Sequence, residues 1–157
     1  MAGLFVVESS RAIPVAAPDA FARTLTYPLP TLFRRRYAAL PPIKDVRDQD
    51  GEWASPGQTR TIVLADGGSM VEQLTSVEAP RAFTYELTQI KGALAPLTAR
   101  VAGAWEFAPA GTGTTVTWRW SLEPRNAISV VGLPVFGRMW RGYARQALEE
   151  LSDFLTD

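Results

Sequence analysis

From Ile43 onward, apolar and polar residues follow a period of two, the pattern of strands with one buried face. The spacing predicts strands over Ile43 to Val46, Gln58 to Leu64, Met70 to Val77, Arg81 to Gln89, Pro96 to Phe107 and Thr114 to Leu122. Turn signals separate them: the Gly51, Pro56 and Gly57 loop, Asp66-Gly67-Gly68, Ala79-Pro80, Lys91-Gly92, and the Gly111 to Gly113 segment. An earlier strand, Phe5 to Pro14, alternates more weakly. Two short helices are expected after it. Pro18 and Asp19 open the first, because a proline fits the first turn and an acidic side chain is favoured there. Pro28 and Pro30 interrupt it. Thr31 is placed to cap the second, Leu32 to Leu40, which Pro41-Pro42 stops.

The chain ends on a different period. Phe136, Trp140, Tyr143, Ala147, Leu151 and Phe154 make one apolar stripe of a long amphipathic helix. Its start is blurred: Pro134 suits a first turn, yet helix could begin nearer Ser129 with a bend at Gly132 to Pro134. Gly137 and Gly142 each cost about 1 kcal/mol relative to alanine inside a helix. Either a close backbone approach or room for a ligand would explain them. Arg138, Arg141 and Arg145 precede Glu149, Glu150 and Asp153, against the helix dipole, so the stripe must supply the stability.

The late strands show which face is inside. Val116, Trp118, Trp120 and Leu122 point one way, and Thr117, Arg119 and Ser121 the other. Val101, Trp105 and Phe107 share a face, and setting Trp105 opposite Trp118 satisfies both patterns. Phe83, Tyr85 and Leu87 form the matching row on the strand before. The predicted fold is α+β: a curved antiparallel sheet wrapped around the long C-terminal helix, with two short helices after the first strand. No repeat or linker divides the chain, so residues 1–157 are expected to form one domain with an aromatic concavity.

Composition narrows the chemistry. Sixteen basic residues balance sixteen acidic ones, which removes the electrostatic argument for nucleic acid or an anionic membrane surface. Only Lys44 and Lys91 are lysines; the other basic residues are arginines. The chain has no Cys and no His, which excludes thiol and histidine catalysis, disulfides and Cys-ligated metals. No cofactor and no metal is expected: AGTGTT around Gly111 lies between strands with no helix to cradle phosphate, and Asp45, Asp48 and Asp50 lack the remaining ligands of a calcium loop. The start lacks a basic segment ahead of its short apolar run, and the longest apolar stretch, Ala127 to Gly137, is too short to span a bilayer. A cytoplasmic location is the expectation.

With its order of patterns, the stretch GQTRTIVLADGGSMVEQLTSVEAPRAFTYEL resembles the START-like helix-grip superfamily (SRPBCC), and most of all its polyketide cyclase/dehydrase and lipid-transport branch. The resemblance runs from Phe5 to Leu155. It implies a helix-grip fold and a cavity for apolar or amphipathic molecules under the last helix. Some members of the superfamily are enzymes, others only bind, and others have co-chaperone or regulatory roles, so the fold alone does not choose.

Arg60 and Glu72 are the sharpest candidate pair. A three-residue loop, Asp66-Gly67-Gly68, pairs Ala65 with Ser69 and sets Arg60 diagonal to Glu72 on one face; a two-residue loop would separate them. Facing inward, the pair is a polar anchor for a ligand, a structural ion pair, or, in an enzyme, proton-transferring Glu72 with Arg60 polarising an oxygen. Tyr85, Trp105, Trp118, Trp120, Phe136, Trp140 and Tyr143 are expected to line the same interior. Each taken alone is ordinary core; together they form an apolar pocket with a few polar handles, of which the Tyr85 and Tyr143 hydroxyls are the best donors. Trp53 is either a residue of the cavity mouth or a surface anchor. Arg34, Arg35 and Arg36 form a basic cluster, an anion or protein-docking site if not a solvated face. The function expected first is binding or carriage of a small hydrophobic or lipid-like molecule. A cyclase, dehydratase or hydrolase using Glu72 and Arg60 is the second, and a protein-interaction domain the third.

Overall fold

The computed structural model describes residues 3–157. Strand β1 (Phe5–Ile13) leads into helix α1 (Ala17–Leu25) and the single-turn α2 (Leu29–Leu32). Six strands follow: β2 (Ile43–Arg47), β3 (Thr59–Leu64), β4 (Ser69–Glu78), β5 (Ala82–Lys91), β6 (Thr98–Ala110) and β7 (Gly113–Pro124). Helix α3 (Ala127–Thr156) completes the order. The seven strands form one antiparallel sheet in the order β1-β7-β6-β5-β4-β3-β2. β1 and β2 are therefore opposite edges, and the segment holding α1 and α2 carries the chain from one edge to the other. With α3, that segment closes the sheet's concave face. This is the helix-grip fold.

Alternation set the faces correctly. Trp105 lies opposite Trp118, and Phe83 opposite Trp105, so the inner rows of β5, β6 and β7 meet as one aromatic surface. The tight β6–β7 turn pairs Ala110 with Gly113, with Gly111 at φ +61°, where a glycine is at ease.

Three details differ from the sequence reading. The helix expected over Leu32 to Leu40 instead occupies Leu29–Leu32, with Pro28 rather than Thr31 at the N-cap position and no side-chain cap. Pro28 and Pro30 sit at its start, where a missing N–H costs nothing, so they open the turn instead of interrupting a helix. It stops at Phe33 (φ −109°, ψ 49°), and Tyr37 and Leu40 then exchange backbone hydrogen bonds of 3.1 and 2.8 Å around Ala38 at φ 51°. Second, the β3–β4 loop is Ala65-Asp66-Gly67, two positions away in register: Val63 pairs with Ser69 and Arg60 sits directly opposite Glu72. Gly67 takes φ +93°, and the Asp66 carboxylate accepts the Gly68 N–H at 2.8 Å. A shift of two keeps every side chain on its expected face.

Third, α3 begins at Ala127, with Asn126 accepting the Ser129 N–H at 2.9 Å, and Pro134 lies inside it. The Ser129 hydroxyl donates to the Pro96 carbonyl at 2.9 Å and ties this end to the β5–β6 loop. At the other end Arg23 donates to the carbonyls of Leu155 (3.1 Å) and Phe154 (3.0 Å). That cation supplies the C-terminal cap that the helix's own sequence lacks. The acidic residues there have partners too: Arg34 pairs with Glu150 (2.5 Å) and Arg35 with Glu149 (3.5 Å). Arg34, Arg35 and Arg36 thus follow α2 in a loop, and two of the three hold α3.

Candidate functional site

A cavity of about 190 Å³ lies between the concave sheet face and α3. Its floor comes from β3 to β7, where alternation turns Arg60, Glu72, Tyr85, Trp105, Trp118 and Trp120 inward. Its roof is Phe136, Trp140 and Tyr143 of α3, at the three- and four-residue spacing that keeps one helix face toward the sheet. All nine residues singled out from the sequence therefore line one cavity. Trp118 is the hub: its ring centroid lies 4.6 Å from that of Trp140, 5.0 Å from Phe33 and 5.4 Å from Trp105. Lys91, Asp66 and Ala93 are exposed at the edge of the cavity and mark its mouth.

Arg60 and Glu72 are both buried, and Arg60 Nε donates to Glu72 Oε1 at 2.6 Å. Arg60 Nη1 donates to Gln49 Oε1 at 3.2 Å, and its guanidinium lies 3.9 Å from the centre of the Trp53 ring. Trp53 is thus neither at the mouth nor on the surface. It is a buried plate behind Arg60, and the cation over its ring face is a favourable arrangement away from water. Burial pushes the Glu72 carboxyl above its ordinary range, although the Arg60 charge and hydrogen bond pull the other way. An isolated buried charge is costly, and removing one partner of such a pair typically costs about 3–5 kcal/mol.

Tyr85 has an unusual setting. Its hydroxyl oxygen accepts hydrogen bonds from Trp118 Nε1 at 2.7 Å and Trp120 Nε1 at 2.8 Å. It reaches them by lying across Gly103 of β6, where an added Cβ would fall 2.1 Å from the ring. Burial, and then the nearby Glu72 charge, push its ionisation well above the ordinary tyrosine range. Tyr143 differs from the sequence expectation, since its hydroxyl donates to the Pro41 carbonyl at 2.9 Å and is not a free donor. Trp140 Nε1 and Thr24 Oγ1 are buried without a hydrogen-bond partner among the described residues.

Sequence reasoning missed the side of the cavity formed by Thr24, Leu25, Leu29, Leu32 and Phe33. The residue pattern there predicts two short helices but defines no inner face. The apolar spacing Phe21, Thr24 and Leu25 in α1 was the available signal. Gly142 is not part of the wall: a Cβ there would fall 2.1 Å from the Tyr37 ring, so this glycine admits an aromatic side chain and not a ligand. Gly137 likewise faces Phe5 and Val7. Among the described residues no group of acidic side chains is gathered as a metal site, and no helix is long and apolar enough to cross a membrane.

A seven-stranded antiparallel sheet gripping a terminal helix over an aromatic cavity defines the helix-grip class. The chain belongs to the polyketide cyclase / dehydrase and lipid transport family, whose model matches residues 5–154. Among solved structures it is similar to Ara h 8.0201, with 12% identity, a TM-score of 0.70, and 98% of this chain and 99% of that chain covered. It is also similar to major latex-like protein 151 from Panax ginseng (12% identity, TM-score 0.69, 99% and 100% covered). A protein from Nitrosospira multiformis aligns with 16% identity and a TM-score of 0.66 over 95% of this chain and 94% of its own. No curated protein sequence matches the chain. At these identities the structural likenesses show the fold, and the family fixes a small-hydrophobic-ligand-binding architecture.

Proposed function

We propose that the protein binds or carries a small hydrophobic or lipid-like molecule in the cavity between the sheet and α3, without transforming it. The observation that supports this most is a cavity of about 190 Å³ walled by aromatic rings, in which the buried charges Arg60 and Glu72 already neutralise each other. Apolar cavities of about 150 Å³ accept a single benzene ring. This one suits a one- or two-ring core, with any longer chain leaving by the mouth near Lys91 and Asp66. Enclosing such a ligand gains about 25 cal/mol for each Å² of apolar surface removed from water. Native mass spectrometry of gently purified protein, followed by solvent extraction, is the direct test. A bound apolar species that extraction removes and re-addition restores is expected. Protein that is empty as purified and takes up no apolar probe would show that the rings are only core.

A second reading rests on burial, which holds the Glu72 carboxyl above its ordinary value, the direction that favours a proton-donating acid. In that case Glu72 is the acid of a cyclase or dehydratase and Arg60 holds an oxygen. Glu72→Gln separates the two: an enzyme loses turnover of a candidate aromatic or polyketide-like substrate while still binding it. A carrier shows no turnover in either form. The protein-docking reading has lost its main support, because Arg34 and Arg35 are engaged with Glu150 and Glu149.

A further inference from the structure

The hydroxyl of Tyr85 can be assigned a direction by counting its bonds. A phenol oxygen offers one O–H and two lone pairs, and an indole N–H can only donate. Trp118 Nε1 and Trp120 Nε1, at 2.7 and 2.8 Å, therefore occupy the oxygen's accepting capacity. The phenol proton is left over, and no acceptor for it exists among the described residues, although Tyr85 is buried in the cavity wall. The arrangement is held rigidly. Gly103 leaves the space in which the ring lies, and both indoles come from β7, the strand next to β6. The Trp140 indole N–H on α3 and the Thr24 hydroxyl on α1 are also buried without a partner among the described residues, but both atoms are sealed off from the open space. A buried donor left unmade is costly, so the Tyr85 O–H at the wall of this apolar space calls for an acceptor.

Charge limits that acceptor. Glu72 lies on the strand beside Tyr85, its cross-strand partner Leu87 being two residues along β5, so a carboxylate or phosphate at Tyr85 would sit against a like charge. Arg60, the buried cation of the wall, is already bonded to Glu72 and Gln49, and Lys91 stands at the mouth. Building on the ligand-binding reading above, we infer that the apolar ligand carries an uncharged carbonyl oxygen, and that this oxygen accepts the Tyr85 hydroxyl in the aromatic wall. Tyr85 would thus set specificity for ketones, esters and aldehydes over hydrocarbons of the same shape.

The test uses two probes of nearly equal size, acetophenone and isopropylbenzene, with solvent-extracted wild type and Tyr85→Phe. Binding is read by tryptophan fluorescence, and the carbonyl stretch of bound acetophenone by infrared difference spectroscopy. In wild type the carbonyl band is expected at a hydrogen-bonded frequency, below its position in alkane solvent. Tyr85→Phe should return the band to the alkane position and weaken acetophenone by about three- to tenfold, the net worth of one neutral hydrogen bond. Isopropylbenzene should bind both proteins alike. If Tyr85→Phe folds poorly, the wild-type infrared band still tests whether the bound carbonyl is hydrogen-bonded at all. A wild-type band at the alkane position, with isopropylbenzene still bound, overturns the Tyr85 assignment and leaves the cavity reading standing. Equal weakening of both probes by Tyr85→Phe also overturns it. Failure of both probes to bind wild type removes the cavity reading and this inference together.

Discussion

The Glu72 carboxyl is buried, and its titration has a definite sign. Its folded pKa lies above the ordinary value of 4.5 because burial penalises the charged form more than Arg60 rewards it. The folded protein therefore holds this proton more tightly than the unfolded chain does. The stability it contributes is fully present below pH 4.5 and is lost as pH rises through the folded pKa. Glu106 and Glu150 behave oppositely, since hydrogen bonds from Arg119 and Arg34 hold them low and their contribution fades as pH falls. Glu72→Gln cannot ionise but keeps Glu106 and Glu150, so the difference between the two proteins isolates Glu72. Urea denaturation at stepped pH should show wild type losing stability relative to Glu72→Gln as pH rises from 4.5 upward, with the difference levelling off once Glu72 is ionised. A difference that stays flat would mean that Arg60 cancels burial, and one that grows in wild type's favour that Arg60 outweighs it.

At the scale of elements, two glycines separate close packing from cavity lining. Gly142→Ala gains up to about 1 kcal/mol of helix propensity but drives a methyl group into the Tyr37 ring, an overpacking that typically costs about 1–3 kcal/mol. A modest net loss of stability with unchanged ligand affinity is expected, because Gly142 does not line the cavity. Gly103→Ala should be worse. It displaces the Tyr85 ring and takes the shared acceptor from two indole N–H groups, each costing about 1–3 kcal/mol if left unsatisfied. Chemical denaturation ranks the two variants, and near-ultraviolet circular dichroism should report disturbed tryptophans only in Gly103→Ala. The same elements show what the sequence made legible. Strand faces followed from alternation, because a period of two leaves no freedom about which side of a sheet a residue takes. Turn register did not: Asp66-Gly67-Gly68 offers glycine at two positions, and only the backbone shows that Gly67 holds the positive φ. The start of α3 was blurred because its first turns expose Ile128, Val131 and Val135, so its apolar residues there do not trace a core stripe.

At the scale of the whole molecule, the cavity is made by closure, and closure was the least legible part. The sheet and the inner face of α3 repeat a period, so Arg60, Glu72 and the seven aromatic residues could be assigned to one interior. The α1–α2 segment has no such repeat. It is held by separate contacts: Tyr27 stacked on Phe154 with centroids 4.0 Å apart, Phe33 on Tyr143 at 5.6 Å, and arginines on the end of α3. Those arginine pairs are largely exposed, and exposed pairs contribute about 0–1 kcal/mol each, so the closing segment rests mainly on its rings and on whatever fills the space beneath them. A ligand that binds only the closed, folded protein must then raise its thermal stability by mass action. At a free concentration one hundred times Kd the gain is about 2.7 kcal/mol, and for a chain of this length that corresponds to a rise in Tm of about 5–11 °C. Solvent-extracted protein should melt below the protein as purified, and isopropylbenzene should restore the higher Tm in proportion to the logarithm of its concentration once above Kd. The effect should survive in Tyr85→Phe, because the hydrocarbon makes no use of the hydroxyl. Extracted and unextracted protein with one and the same Tm, unmoved by apolar probes, would mean that the rings support one another without a guest and that the space under α3 is a packing defect.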